Sequence, residues 1–98
     1  MSFPLDFHPK AQDEIDEAYA WYEQQRAGLG EEFLSAIREV LDRIQQSPSV
    51  YAQVYRDVRR GLTRRFPYGV FSRVEADRIV VLAVYHSHRR PRGWQGRA

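Results

Sequence analysis

Cysteine is absent from the 98 residues, which excludes disulfide scaffolds, thiol catalysis and cysteine zinc sites. Lysine is nearly absent as well: Lys10 stands alone among fifteen basic residues, the other fourteen being Arg. No apolar stretch is long. The longest, Ile79 to Tyr85, falls far short of the roughly 20 residues that a membrane-spanning helix needs. Met1-Ser2-Phe3-Pro4-Leu5-Asp6 has neither the basic patch nor the apolar stretch of a secretory signal. Repeats and low-complexity segments are also missing. These absences predict a soluble, cytoplasmic protein folded as one domain over residues 1–98.

Acids are scarce in the second half. Residues 1–49 hold four Lys/Arg against ten Asp/Glu, and residues 50–98 hold eleven Arg against three acids. The halves therefore carry net charges of −6 and +8, which sum to the overall +2. Such segregation points to an anionic partner for the basic half. Arginine sharpens that reading, because its planar fork grips phosphate or carboxylate through two hydrogen bonds. Arg59, Arg60, Arg64, Arg65, Arg73, Arg89 and Arg90 are the candidate contacts to a partner or to phosphate.

Phe3, Leu5 and Phe7 alternate as in a short first strand. Pro9 suits the first position of a helix, and Ala11, Ile15, Ala18, Tyr19 and Tyr22 then recur at helical spacing up to Arg26. Trp21 sits at the edge of this stripe and reads, with Tyr19 and Tyr22, as packing. Gly28-Leu29-Gly30 ends the helix. A second helix over Glu31 to Gln46 gathers Phe33, Ile37, Val40, Leu41 and Ile44 on one face, and Ser47-Pro48 closes it. So short a connection predicts an antiparallel helix hairpin. A loop through Ala52 leads to three extended segments: Val58 to Phe66, Tyr68 to Val74, and Ile79 to Tyr85. The last is apolar at both parities, as in a strand covered on both faces. The expected fold class is α+β: an N-terminal strand and a helix hairpin packed on a mainly antiparallel sheet completed by a C-terminal three-strand meander. The free sheet face would display the arginines, and residues 91–98 would form a mobile tail.

Trp21-Tyr22-Glu23, Gly28-Leu29-Gly30 with Phe33, Arg64-Arg65-Phe66-Pro67-Tyr68 and His86-Ser87-His88-Arg89-Arg90-Pro91, taken in order, resemble the RelE/ParE superfamily of type II toxins over residues 5 to 94. The resemblance implies a growth-inhibiting toxin, of the kind linked to plasmid stabilisation, that a cognate antitoxin neutralises in a hetero-oligomer. It implies no metal and no cofactor. Two activities occur in the superfamily: RelE-like members cut mRNA on the ribosome, and ParE-like members act on DNA gyrase.

Metal-free RNA cleavage needs a base, an acid and cations around the phosphorus. His88 and His86 are the candidate proton carriers, since imidazole titrates near neutrality; Tyr68 and Tyr85 are weaker, a phenol's ordinary pKa being about 10. The pair of His has no evident third ligand for a metal. Two departures weigh against the ribonuclease. Gly69 stands where similar ribonucleases commonly carry arginine, and the tail offers Trp94 where they offer Tyr or His. The expectation is therefore a ParE-like, gyrase-directed toxin. A ribosome-dependent endoribonuclease is the alternative, and a non-toxic module binding protein or nucleic acid a further one.

Overall fold

A computed structural model describes residues 3–88 and 92–98. Its order is β1 (Leu5–Phe7), α1 (Pro9–Gln25), α2 (Leu29–Gln46), β2 (Gln53–Tyr55), β3 (Val58–Leu62), β4 (Tyr68–Glu75), β5 (Arg78–His86) and α3 (Arg92–Gln95). The sheet runs β1-β5-β4-β3-β2. Parallel pairing sets β1 on β5, with Leu5 opposite Ile79, and every other pair is antiparallel. The expected α+β class holds. The meander, however, has four strands, because β2 precedes the three expected from the residue pattern.

Pro9 opens α1 as its spacing predicts, and the His8 side chain caps it by accepting from Lys10 N–H at 3.1 Å. The turn between the helices lies earlier than Gly28-Leu29-Gly30, at Arg26-Ala27-Gly28. Gly28 takes the left-handed region at φ 88°, and α2 already begins at Leu29. Gly30 serves a different need. A Cβ there would meet Glu23 Cγ at 2.7 Å and the Tyr19 ring at 2.9 Å, so its small size lets the two helices close together. Its N–H donates to Glu23 Oε1 at 2.8 Å.

The hairpin buries Ala11, Ile15 and Ala18 of α1 and Phe33, Ile37, Val40 and Ile44 of α2 against Val70, Ile79, Val81 and Val84 of the sheet. Each of the larger side chains removed from water there stabilises the fold by about 1.5–3 kcal/mol. A smaller core lies on the opposite sheet face: Val58, Phe71, Leu82, Ala83, Tyr85 and Trp94. This second core explains why β5 is apolar at both parities. Its cover is the tail. Trp94 is 2% exposed and stacks on Phe71, with ring centroids 4.4 Å apart at 29°. One expectation is thereby corrected. The face opposite the helices is partly apolar and covered by Trp94 rather than an open display of arginine. The physical reason is that Phe71, Leu82 and Tyr85 need an apolar cover.

Candidate functional site

The strand-end residues singled out from the sequence do converge. His86 closes β5 directly opposite Tyr68 at the start of β4, and their rings lie 5.3 Å apart at 75°. The strand stops at His86, and Ser87 N–H donates to Pro67 O at 2.6 Å. His88 therefore reaches its neighbour by a turn, not by strand alternation. The two imidazoles are still 5.2 Å apart, and His88 N–H donates to His86 Nδ1 at 3.1 Å. That bond has a chemical consequence. A neutral imidazole that accepts at Nδ1 carries its proton on Nε2, so His86 presents a donor, not a base, at its outer nitrogen.

Arg60, Gly69, Tyr85, His86, Ser87 and Trp94 line a groove of about 230 Å³ between the outer sheet face and the tail. Gly69 shapes it. A Cβ at that position would lie 3.2–3.3 Å from Cγ and Cδ of Arg60, so the bare glycine lets the Arg60 stem lie flat across β4. Trp94 adds a wall, and its Nε1 is buried without a hydrogen-bond partner among the described residues.

The remaining arginines do not join this groove as one platform. Arg59 Nη1 donates to Tyr51 O at 2.6 Å and to Ser49 O at 3.4 Å, which ties it to the loop before β2. Arg64 and Arg65 line a separate hollow beside Glu32 and Glu39 of α2. There Arg65 bonds Glu32 at 2.6 Å, and Arg26 takes the other carboxylate oxygen at 2.9 Å. These two guanidinium groups hold the Glu32 carboxyl below its ordinary pKa. Arg73 donates to Glu75 at 2.8 Å and to Ala98 O at 2.8 Å. Arg89 and Arg90 lie outside the described residues. The single cationic surface expected from the sequence is thus replaced by dispersed arginines, most of them already engaged, because the acids and carbonyls that take them sit at different edges of the fold.

Aromatic residues close the other side of the strand ends. Tyr22 packs on Phe33, Phe66 and Tyr68 at centroid distances of 5.3, 5.0 and 6.3 Å, and burial raises its phenol above the ordinary value of 10.0. Tyr22 is therefore a packing group, as the helical spacing predicts. Trp21 departs from that reading: it is 55% exposed.

Residues 5–91 match the family described as the ParE toxin of the type II toxin-antitoxin system parDE. The chain belongs to the ParE toxin family. Two solved structures are similar to this ParE-family chain. One comes from a chromosomal ParDE toxin-antitoxin system of P. aeruginosa, 20% identical with a TM-score of 0.64 over 87% of this chain and 96% of that one. The other is the E. coli toxin RelE in the free state, as a double arginine-to-alanine mutant; it is 17% identical with a TM-score of 0.61 over 90% of this chain and 86% of that one. At these identities the likeness is one of fold. Comparison with curated proteins finds no match. No helix among the described residues is long and apolar enough to cross a membrane.

Proposed function

We propose that this ParE-family toxin inhibits growth by binding DNA gyrase in the cytoplasm, without cutting RNA, and that a cognate antitoxin neutralises it in a hetero-oligomer. The antitoxin follows from the family match and from the ParDE system that shares the fold. The observation that carries the choice of target is the state of His86. Its Nδ1 accepts from His88 N–H, which leaves Nε2 protonated and unable to take the 2′-OH proton. Among the described residues cations are short there too. Arg60 is the one arginine among the described residues lining the groove with His86, while Arg59, Arg65 and Arg73 are held elsewhere. Trp94 occupies the core rather than offering a proton.

A ribosome-dependent endoribonuclease is the second reading, favoured by one observation: Arg60, His86 and Ser87 share a single groove beside Tyr68 and His88. Induction in cells separates the two. Gyrase poisoning raises the DNA-damage response and halts replication, and His88→Ala keeps its toxicity. Cut transcripts from ribosomes incubated with pure protein, abolished by His88→Ala, would reverse the assignment. Induction without effect would favour the non-toxic binding module.

A further inference from the structure

The outer sheet face has a gap at Gly69. Along one row across the strands Leu62 of β3 stands opposite Gly69 of β4, and Gly69 opposite Tyr85 of β5. With no side chain at its centre, this row leaves Leu62 55% exposed, and Val54 of β2, which lines the same groove, is 42% exposed. Two of the five large apolar side chains exposed among the described residues thus meet in one place. In the adjoining row Arg60 stands opposite Phe71. Arg60 is exposed, and its guanidinium has no ion-pair or hydrogen-bond partner among the described residues.

Such a pairing of groups selects a ligand that is anionic at one point and aliphatic at the next. Arg60 and Leu62 are two apart on one strand face, so their side chains rise from points roughly 7 Å apart. An extended polypeptide has the same repeat. Alternate residues of such a segment, one an Asp or Glu and the other a Leu, Ile or Val, fall over Arg60 and over the lip of Leu62 and Val54 together. A nucleic acid strand fits less well. Its bases bind by stacking on exposed rings, and the rings of this groove are committed. Phe71, Tyr85 and Trp94 are buried, His86 packs against Tyr68 and His88, and residues 89–91 are not aromatic.

We infer that the groove beside Arg60 and Leu62 receives an extended segment of a separate partner protein, with an acid and an aliphatic residue two positions apart. A second copy of this chain does not offer one. Among its acids, Asp13, Glu17, Glu31, Glu32, Glu39 and Asp42 have Val, Ile or Leu two positions away, but all lie within α1 or α2, where residues two apart do not share a side. Asp77 is the remaining acid with such a neighbour, and that neighbour, Ile79, is fully buried. Charge favours an acidic partner as well, since the groove is built from the basic half of the chain. This occupant presupposes the gyrase-directed reading, in which no RNA enters the groove.

The probe is the blocked peptide acetyl-Ser-Glu-Ser-Leu-Ser-amide, added to the whole protein labelled with nitrogen-15. It is expected to move the indole N–H signal of Trp94, which walls the groove, together with the backbone N–H signals of Leu62 and Gly69, and to leave the indole signal of Trp21 in place. In the Kd read from those shifts, Arg60→Gln should weaken binding about two- to fivefold, the range of one exposed ion pair. Leu62→Ser should weaken it about as much through lost apolar contact. Both positions are exposed, and the unmoved amide signals of the helix hairpin report the fold of each variant. The inference is overturned by an equal response to acetyl-Ser-Glu-Leu-Ser-Ser-amide or acetyl-Ser-Gln-Ser-Leu-Ser-amide, by no response to the probe, or by unchanged affinity in both variants. A Trp94 signal that moves with protein concentration alone overturns it in favour of self-association. Each of these outcomes leaves the gyrase-directed reading standing, whereas a stronger response of the same signals to single-stranded hexauridylate would overturn both.

Discussion

Arg97 and Glu14, eighty-three positions apart, form a two-pronged ion pair at 2.8 and 3.0 Å with side-chain exposures of only 9% and 11%. The pair completes the edge of β5. Strand β1 covers only Ile79 to Val81, and beyond it the outward backbone groups of β5 need partners. Arg97 Nη1 donates to Leu82 O at 2.9 Å, and Val84 N–H donates to Glu14 Oε1 at 3.0 Å. A helix side chain and a tail side chain together do what a longer first strand would have done.

Breaking this pair from one side leaves a charge in a place with little water. Arg97→Ala strands the Glu14 carboxylate and frees Leu82 O, so a loss of about 3–5 kcal/mol is expected, the usual penalty for an uncompensated buried charge. Against the ~5–15 kcal/mol that holds a domain together, that is a large fraction. Urea denaturation of Arg97→Ala checks it. A change below about 1 kcal/mol would mean that the pair behaves as a surface bridge.

Trp94 is the larger anchor of the tail. It is buried against Phe71 and Tyr55, and its truncation to Ala should cost about 3–5 kcal/mol through lost contacts and the cavity left behind. Loss of near-ultraviolet ellipticity with the far-ultraviolet spectrum preserved would show that the tail lifts off while the sheet and hairpin persist.

Much of this was legible in the chain. The stripe of Phe33, Ile37, Val40, Leu41 and Ile44 defines α2 at sight, and Ile79 to Tyr85 announces a strand covered on both sides. What covers its second face was not legible, because Trp94 and Arg97 belong to a short polar stretch that has no periodicity of its own. Strand β2 escaped for a related reason. Its turn into β3 uses Arg56, at φ 52°, in place of the Asn or Gly that marks a two-residue hairpin loop. In the candidate site, Tyr68, His86 and His88 were found from residue type and strand-end position. The arginines misled, since charge counted along a chain says nothing of which acid each guanidinium meets after folding. One signal was available for the groove: Gly69 alone between Tyr68 and Val70 in an otherwise bulky strand marks a close approach, here by the Arg60 stem.

The acid limb of stability should depend on Glu75. Its carboxyl lies below the ordinary value of 4.5, chiefly through the hydrogen bond from Arg73 and less through Arg78. A lowered folded pKa means that the unfolded chain takes the proton first, so this contribution is complete above pH 4.5 and is lost as pH falls through the folded value. Glu75→Gln should therefore lower the urea midpoint at pH 7 and flatten its fall below about pH 4.5. Midpoints measured from pH 3 to pH 7 decide it; parallel curves for the two proteins would exclude the Arg73–Glu75 bond as a contributor.

Gly93 offers a way to undock the tail without removing any contact it makes. A Cβ at Gly93 would fall inside the van der Waals radius of Tyr85 Oη, and Tyr85 is itself 7% exposed within the second core, so the ring has little room to yield. Gly93→Ala must push either the phenol or the whole of α3 outward, at about 1–3 kcal/mol for an overpacked contact. Because Trp94 walls the groove that also holds Arg60 and His86, displacement of α3 opens that groove and bares Phe71 and Leu82. The variant should bind an apolar dye that the parent does not, and lose stability by an amount that Tyr85→Phe partly restores, since removing the hydroxyl removes the clash. Failure of Tyr85→Phe to restore it would place the strain in the backbone of α3 rather than at the phenol.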